Sequence, residues 1–218
     1  MSVITLASTK GGAGKTTLAQ VIIGTVRNMG YSVAAIDGDG NGTLSNWLSN
    51  VSDLDVDCRR VTDEAQIVPT AAELGRSNDL VIIDTAGGRS QATVFAIGCS
   101  DMVLIPLQLS NSDIIEATRT YNLVSSASDM VKREIPGRVV FTDYTPKTNV
   151  ARHVKKKVKK NGLPALKTRL HRLVAFKELT FSGQIPRTGT AGAQGQLLVQ
   201  ELHSMCVLPF MDELAMAS

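Results

Sequence analysis

The sequence predicts an α/β fold, a mostly parallel, doubly wound sheet with helices on both faces. Three observations predict it. The glycine-rich run Ser8-Thr9-Lys10-Gly11-Gly12-Ala13-Gly14-Lys15-Thr16-Thr17 lies between a short apolar segment, residues 3–7, and an amphipathic one, residues 18–29. That is the strand–loop–helix order of a phosphate-binding loop. Helix-length segments then alternate with short apolar runs along the chain, the pattern of right-handed crossovers between parallel strands buried on both faces. Two of those runs end in carboxylates, at Asp37 and Asp84, where doubly wound sheets place their ligands.

In the loop, glycines let the backbone approach phosphates and aim its N–H groups at them. The helix beginning near Lys15 adds the partial positive charge of its N-terminus. Lys15 supplies a point charge for the outer phosphates, and the Thr16 hydroxyl is placed to ligate Mg²⁺. The general pattern G-x-x-x-x-G-K-[ST] calls for glycine at position 9. Thr9 stands there instead, and a second lysine, Lys10, opens the loop. Lys-Gly-Gly-x-Gly-Lys-Thr resembles the deviant phosphate loop (deviant Walker A) of the ParA/MinD superfamily of ATPases, a branch of the P-loop NTPases. The resemblance extends from residue 2 to about residue 205. It implies ATP and Mg²⁺ as cofactors, held by Gly11, Gly12, Ala13, Gly14, Lys15, Thr16 and Thr17, and slow hydrolysis of ATP to ADP and phosphate. It also implies that Lys10 reaches across a dimer interface to the nucleotide of the other subunit.

After the first helix, residues 31–36 read as a buried strand that runs into Asp37-Gly38-Asp39-Gly40-Asn41-Gly42-Thr43. The superfamily has D-x-D-P-Q-G here. Asp37, Asp39 and Gly42 match it, while Gly40 and Asn41 replace proline and glutamine. By resemblance, Asp39 positions or activates the attacking water and Asp37 supports the Mg²⁺ shell. Residues 43–49 predict a short helix, 57–61 a short strand, and 63–74 a helix capped at Thr62 or Asp63. Residues 79–84 read as another buried strand ending in Asp84, as in a Walker B element, where a carboxylate holds a water of the Mg²⁺ shell. Ala86-Gly87-Gly88 stands where many relatives have Asp-x-Pro-Pro. It resembles the small ParF-type partition proteins and their relative in T-DNA processing, and its glycines suit a nucleotide-sensing switch.

Residues 90–98 read as helix and 102–108 as strand, with Pro106 ending its regular pairing. A helix capped by Asn111 or Ser112 runs to about residue 130; in the superfamily this helix lies at the dimer face. Residues 139–143 read as a further strand, and by resemblance Thr142 and Asp143 approach the adenine. Residues 172–181 and 193–208 predict two more helices. The turn-rich loop Ile185-Pro186-Arg187-Thr188-Gly189 lies over the nucleotide in the superfamily, which places Pro186 among the nucleotide contacts.

A chain of 218 residues is sized for one domain, residues 1–218. Cys58, Cys99 and Cys206 match no metal or disulfide spacing and fit a reducing cytosol. No charged-then-apolar leader is present, and no apolar run nears the roughly 18 residues of a membrane span. The tail has apolar but no basic residues, so it lacks the electrostatic half of an amphipathic membrane anchor. The net charge is only +3, but residues 147–177 hold 11 basic and no acidic side chains, against 11 basic and 16 acidic in residues 1–146. A near-neutral chain with one concentrated basic block points to a localised polyanion site.

Inside that block, residues 149–161 predict a helix with Val150, Val154 and Val158 along one side. Arg152, Lys155, Lys156 and Lys159 fall on the opposite side, Lys160 extends them, and Gly162 ends the helix. Cations on one exposed face neutralise phosphates of duplex DNA without reading its sequence, and such binding weakens steeply with salt. No aromatics are interleaved, which disfavours single-strand stacking. A merely solvated lysine-rich helix is the competing reading.

Together these features predict a short ParA-type ATPase. Its expected partners are a second copy of itself in an ATP-dependent homodimer, nonspecific double-stranded DNA, and a centromere-binding ParB-like protein that stimulates hydrolysis. It is expected to be cytoplasmic and nucleoid-associated, with no membrane partner, and to segregate a plasmid. Competing outputs are the positioning of a conjugation or T-DNA complex, cellulose synthase or a chemoreceptor array. From other classes come a dethiobiotin-synthetase-like metabolic enzyme and a DNA-binding module with a vestigial nucleotide site.

Overall fold

A computed structural model describes residues 1–88 and 90–208. Its strands are β1 (Ser2–Leu6), β2 (Val33–Gly38), β3 (Asp57–Arg60), β4 (Leu80–Thr85), β5 (Met102–Leu107), β6 (Gly137–Tyr144) and β7 (Ala165–His171). They form one sheet in the order β3-β2-β4-β1-β5-β6-β7, with every neighbouring pair parallel. The helices are α1 (Lys15–Asn28), α2 (Thr43–Asn50), α3 (Ile67–Leu74), α4 (Gln91–Gly98), α5 (Asn111–Val131), α6 (Asn149–Lys160), α7 (Val174–Ser182) and α8 (Gly189–Ser204).

The uninterrupted apolar runs are explained by burial on both faces. Strand side chains alternate with period two. Ile4, Leu6, Leu80, Ile82, Met102 and Leu104 pack into one layer with Leu18 and Ile22 of α1, Trp47 of α2, Leu179 of α7 and Leu198 of α8. Val3, Val81 and Ile83 turn the other way, onto Ile67 and Ala71 of α3 and Ala96 of α4. Val103, Ile105 and Val139 meet Ile114 and Val124 of α5 and Val154 and Val158 of α6. The chain leaves β1 for strands on one side of it and later returns for those on the other. The carboxyl end of β1 therefore sits at a topological switch point, where such sheets bind ligands.

Several boundaries differ from the sequence reading, each for a local reason. The segment 63–74 splits into a 3-10 turn, Glu64–Gln66, and α3. Asp63 caps the turn by accepting from Ala65 N at 3.0 Å, and Pro69 falls in the first turn of α3, where its missing N–H has no helical partner to lose. The cap of α5 is Ser110, whose Oγ accepts from Asp113 N at 3.1 Å, rather than Asn111 or Ser112. Pro106 does not end pairing on both sides: its Cα still registers with Val140 of β6. Leu104 turns its carbonyl toward β1, accepting from Ala7 N. Pro106, two residues on, also faces that side and has no N–H to offer the Ala7 carbonyl, so pairing with β1 stops there while pairing with β6 continues. The last two helices begin at Val174 and Gly189 and end at Ser182 and Ser204.

Candidate nucleotide-binding site

The glycine-rich loop starts where β1 leaves the sheet. Gly12 and Gly14 have φ of +72° and +97°, values that only glycine takes without strain. Gly14 is the N-cap of α1, so the free N–H groups of that helix face the loop. Lys15, its first residue, is 7% exposed. Burial pushes its ammonium below the usual lysine range, while Asp84 and Asp39 pull it back up. Among the described residues no carboxylate stands within ion-pair distance of it. A buried cation without a close partner is costly, and an anion seated in the loop supplies the missing charge.

Thr16 Oγ1 donates to Asp84 Oδ2 at 2.6 Å. Asp84 is fully buried at the end of β4, and its Oδ1 has no hydrogen-bond partner among the described residues. Burial pushes its carboxyl up to about 7, opposed by the Thr16 hydrogen bond and the Lys15 charge. An unpartnered carboxylate oxygen beside a threonine hydroxyl, behind a phosphate-binding loop, fits a hydrated Mg²⁺, which keeps its waters and takes few protein ligands.

Asp37, in register with Asp84 on the neighbouring strand, is occupied differently. Its Oδ1 accepts from Asp39 N at 3.1 Å and its Oδ2 from Ser45 N at 2.8 Å. It pins both ends of the turn that carries Asp39. The carboxylate of Asp39 accepts from Asn41 N at 2.9 Å.

The Lys10 side chain is held away from its own loop. Its Nζ donates to Asp113 Oδ1 at 2.6 Å, with the lysine 40% and the aspartate 5% exposed. Thr9 is tied to the same helix: its Oγ1 donates to Glu116 Oε2 at 2.6 Å, and its N–H to Thr120 Oγ1 at 3.1 Å. Asp113, Glu116 and Thr120 recur at spacings of three and four, one stripe of α5.

On the other side of the loop a cavity of about 400 Å³ is bordered by Gly14, Thr17, Thr142, Leu173, Phe176 and Lys177. Thr142 Oγ1 donates to Ala13 O at 3.0 Å, and Gln108 Nε2 to Gly12 O at 3.0 Å. The cavity adjoins the first turn of α1, where a base attached to loop-bound phosphates would reach.

The family model for VirC1 protein matches residues 1–195. The chain belongs to the VirC1 family. Its relatives place it in the ParA/MinD superfamily of ATPases. It is 29% identical over 190 residues to Protein ParA of Rhizobium radiobacter, covering 85% of each chain. It is 36% identical over 130 residues to Protein virC1 of the same organism, covering 57% of this chain and 56% of that one. Among solved structures, an ATP complex of an aspartate-to-alanine variant of McdA from Cyanothece superposes with a TM-score of 0.75 at 16% identity, covering 94% of this chain and 96% of that one.

Not every predicted site residue of this VirC1-family chain gathers at the loop. The Asp143 side chain borders the cavity, but its carboxylate is taken by the Arg172 fork, with Nη2–Oδ2 at 2.6 Å and Nε–Oδ1 at 3.0 Å. Pro186 is elsewhere: it lines a larger cavity, about 930 Å³, with Asn28 and Glu178. Asn28 is the last residue of α1, about 20 Å along that helix from the loop, so this cavity is not at the phosphate loop and Pro186 does not cover the loop. Asp113, Gln108 and Glu116 were not singled out from sequence. Their relation to the loop is tertiary, with sequence separations of 103, 96 and 107 residues.

The basic helix forms as α6, capped by Thr148 Oγ1 on Ala151 N at 3.1 Å. Its buried stripe is Ala151, Val154 and Val158, and Val150 is 53% exposed. A turn of 3.6 residues carries a strict every-fourth series off the face, so position 151 replaces position 150. Arg152, Lys155, Lys156, Lys159 and Lys160 are all exposed. Lys157 is half-buried and donates to Asn111 Oδ1 at the start of α5. The positive face thus borders the end of α5 that holds Lys10. Among the described residues no helix is long and apolar enough to cross a membrane; residues 209–218, part of the tail read above, lie outside them.

Proposed function

We propose that this chain is a Mg²⁺-dependent ATPase that dimerises on ATP, binds DNA without sequence preference while dimeric, and moves a DNA cargo, most plainly a plasmid. The observation that carries the reading is the division of labour between the two loop lysines. Lys15 is buried without an ion-pair partner among the described residues, and the Lys10 side chain lies away from the loop, at an exposed edge, on Asp113.

When bound, ATP supplies the phosphoryl group and Mg²⁺ neutralises charge on its outer phosphates. The backbone N–H groups from Gly11 to Thr17 orient those phosphates, Lys15 provides the fixed cation, and Thr142 shapes the base side. Thr16 and Asp84 hold the ion and its water shell, with Asp37 acting through its charge and through the turn it pins. Asp39 orients the attacking water. Lys10 exchanges Asp113 for the phosphates of the other subunit, so hydrolysis requires two chains and a lone chain is slow. Such catalysis is positioning and charge stabilisation. Arg152, Lys155, Lys156, Lys159 and Lys160 supply the DNA face, and a ParB-like centromere-binding protein stimulates hydrolysis. The chain would then be found on the nucleoid. The resemblance of Ala86-Gly87-Gly88 to a relative in T-DNA processing supports a second reading in which the cargo is a conjugation or T-DNA complex.

The test is binding to a random-sequence duplex with ATP, with ADP and without nucleotide, across a salt series. Tight binding only with ATP, weakened by salt and by Lys15→Ala, is expected. A protein that binds ATP and no DNA in any nucleotide state removes the DNA-riding reading. Stimulation by a repeat-bound partition protein, or instead by a T-DNA or conjugation complex, separates the two cargoes.

A further inference from the structure

The turn that carries Asp39 departs from the superfamily pattern at Gly40 and Asn41. A proline at position 40 stiffens such a turn by fixing its own φ, with no tertiary contact needed. Glycine does the reverse. Asp37 fastens the two ends of the turn, at Asp39 N and Ser45 N, but it does not reach the crest.

The crest is held by Arg60. The Arg60 guanidinium donates through Nη2 to the Gly40 carbonyl. The same guanidinium lies over Gly42, where an added Cβ would stand 3.1 Å from Cζ and 3.2 Å from Nε. Arg60 ends β3, in register with Asp37 of β2. Strand alternation turns Arg59 to the opposite face, where it pairs with Asp57 and Glu73, and leaves Arg60 on the side of α2. Its placement there is electrostatically odd. Gly42 is the N-cap of α2, and a helix N-terminus disfavours a cation. Arg60 is exposed and has solvent to turn to, yet it lies across the turn.

We propose that Arg60 is a positioning residue of the hydrolytic site. It clamps the Gly40–Gly42 crest and thereby fixes Asp39, doing with a side chain what proline at position 40 does with the backbone. The catalytic consequence rests on the reading of Asp39 as the group that orients water; the clamp itself does not.

Position 40 permits a direct test. Gly40 lies outside the left-handed region, a Cβ there meets nothing within 4 Å, and among the described residues its N–H makes no hydrogen bond. Gly40→Pro therefore meets no steric or hydrogen-bond obstacle of these kinds, and a parental Tm of the single Gly40→Pro variant checks that the turn accepts the φ that proline fixes. In nucleotide-free protein, Arg60→Met raises amide hydrogen exchange across residues 38–45 by about tenfold, and adding Gly40→Pro restores protection to within about twofold. Arg60→Lys recovers little, because one ammonium does not both reach the carbonyl and cover Gly42. In Mg²⁺-ATP hydrolysis, Arg60→Met lowers kcat by about tenfold with KM and Tm held, and the double variant recovers it. Unchanged exchange in Arg60→Met, or a double variant no better than the single, overturns the clamp. Asp39→Ala separates the two readings. If it is inactive while Arg60→Met keeps parental exchange and kcat, the clamp alone fails. If it hydrolyses at the parental rate, Asp39 is not the water-orienting group, and the catalytic part of the proposal falls with it.

Discussion

Replacing Asp84 with asparagine separates the stability of the nucleotide-free chain from its function. Asp84 is fully buried, its Oδ1 has no partner among the described residues, and burial lifts its carboxyl from 3.8 to about 7. The folded chain therefore binds a proton that the unfolded chain has already released. The stability this group contributes is fully present below pH 3.8 and is lost as pH rises toward 7. At roughly 1.36 kcal/mol per pH unit, the loss is about 4 kcal/mol at pH 8 and about 1–2 kcal/mol at pH 5. Asparagine carries no charge to desolvate. Its amide meets the same unpartnered surroundings, at a cost of about 1–3 kcal/mol that does not vary with pH. The variant is then about 2 kcal/mol more stable than the parent at pH 8 and near parity at pH 5.

At about 2–4 °C per kcal/mol for a chain of this size, Asp84→Asn melts about 4–8 °C above the parent at pH 8 and within about 2 °C at pH 5. The assay is calorimetric melting in EDTA without nucleotide. Mg²⁺ with ATP reverses the order at pH 8 on the proposed reading, because the ion would offset the buried charge of the already ionised Asp84 and would have no carboxylate to meet in the variant. A gap between the two melting temperatures that is the same at both pH values refutes the reasoning, since only a titrating group makes it pH-dependent. So does a variant that melts below the parent at pH 8.

Three further outcomes are expected. Gly87→Ala places a Cβ 2.9 Å from Gly11 N and 3.0 Å from Gly11 Cα, backbone that cannot step aside, so calorimetric ATP affinity falls about tenfold or more; parental affinity removes Gly87 as a nucleotide-sensing element. Charge reversal at Lys155 and Lys159, both exposed on α6, reduces the slope of log affinity for duplex DNA against log salt by about 2. An unaltered slope takes α6 out of the DNA face. Trp47→Phe removes the 2.6 Å bond from Trp47 Nε1 to Leu179 O, which keeps its acceptor bond from Gly183 N, and leaves the indole's space unfilled in the core, lowering unfolding free energy by about 1–3 kcal/mol in urea titrations; no loss there shows that neither the bond nor the ring volume contributes net stability.

The phosphate loop was legible because its chemistry is written in consecutive residues: glycines for positive φ, lysine for charge, threonine for the ion. The buried strands were legible because they are apolar on both faces and end abruptly in carboxylates. What failed depended on choices the chain makes in three dimensions. Asn111 and Ser112 are as good caps as Ser110, and only the path leaving β5 decides between them. Val150 fits an every-fourth spacing as well as Val154 does, until the sheet selects the 3.6-residue face that includes Ala151. Pro186 follows α7, and α7 is anchored by Trp47 and Phe176 rather than by the loop, so resemblance alone could not place it. By resemblance Asp37 supports the Mg²⁺ shell, and what was not legible is its further part in pinning a turn. Its two backbone donors come from residues two and eight positions later, a turn geometry that spacing does not announce.

The two loop lysines show most clearly why residue type alone underdetermines function. Both belong to one motif, and both are cations beside a phosphate site. Lys15 is buried, shifted downward by desolvation, and has no ion-pair partner among the described residues, so an arriving anion relieves an existing cost and no side chain has to move. Lys10 is already neutralised by a nearly buried Asp113. Moving it to another phosphate exchanges one charge-assisted bond for another of similar strength, a step with little net drive of its own. On the proposed reading, the first event is local to one chain and favourable, while the second waits for the contacts of a second chain. Because α5 holds Lys10 through Asp113, Thr9 through Glu116 and Thr120, and the basic α6 through Lys157 and Asn111, that helix is the element through which nucleotide, partner chain and DNA face would be coupled.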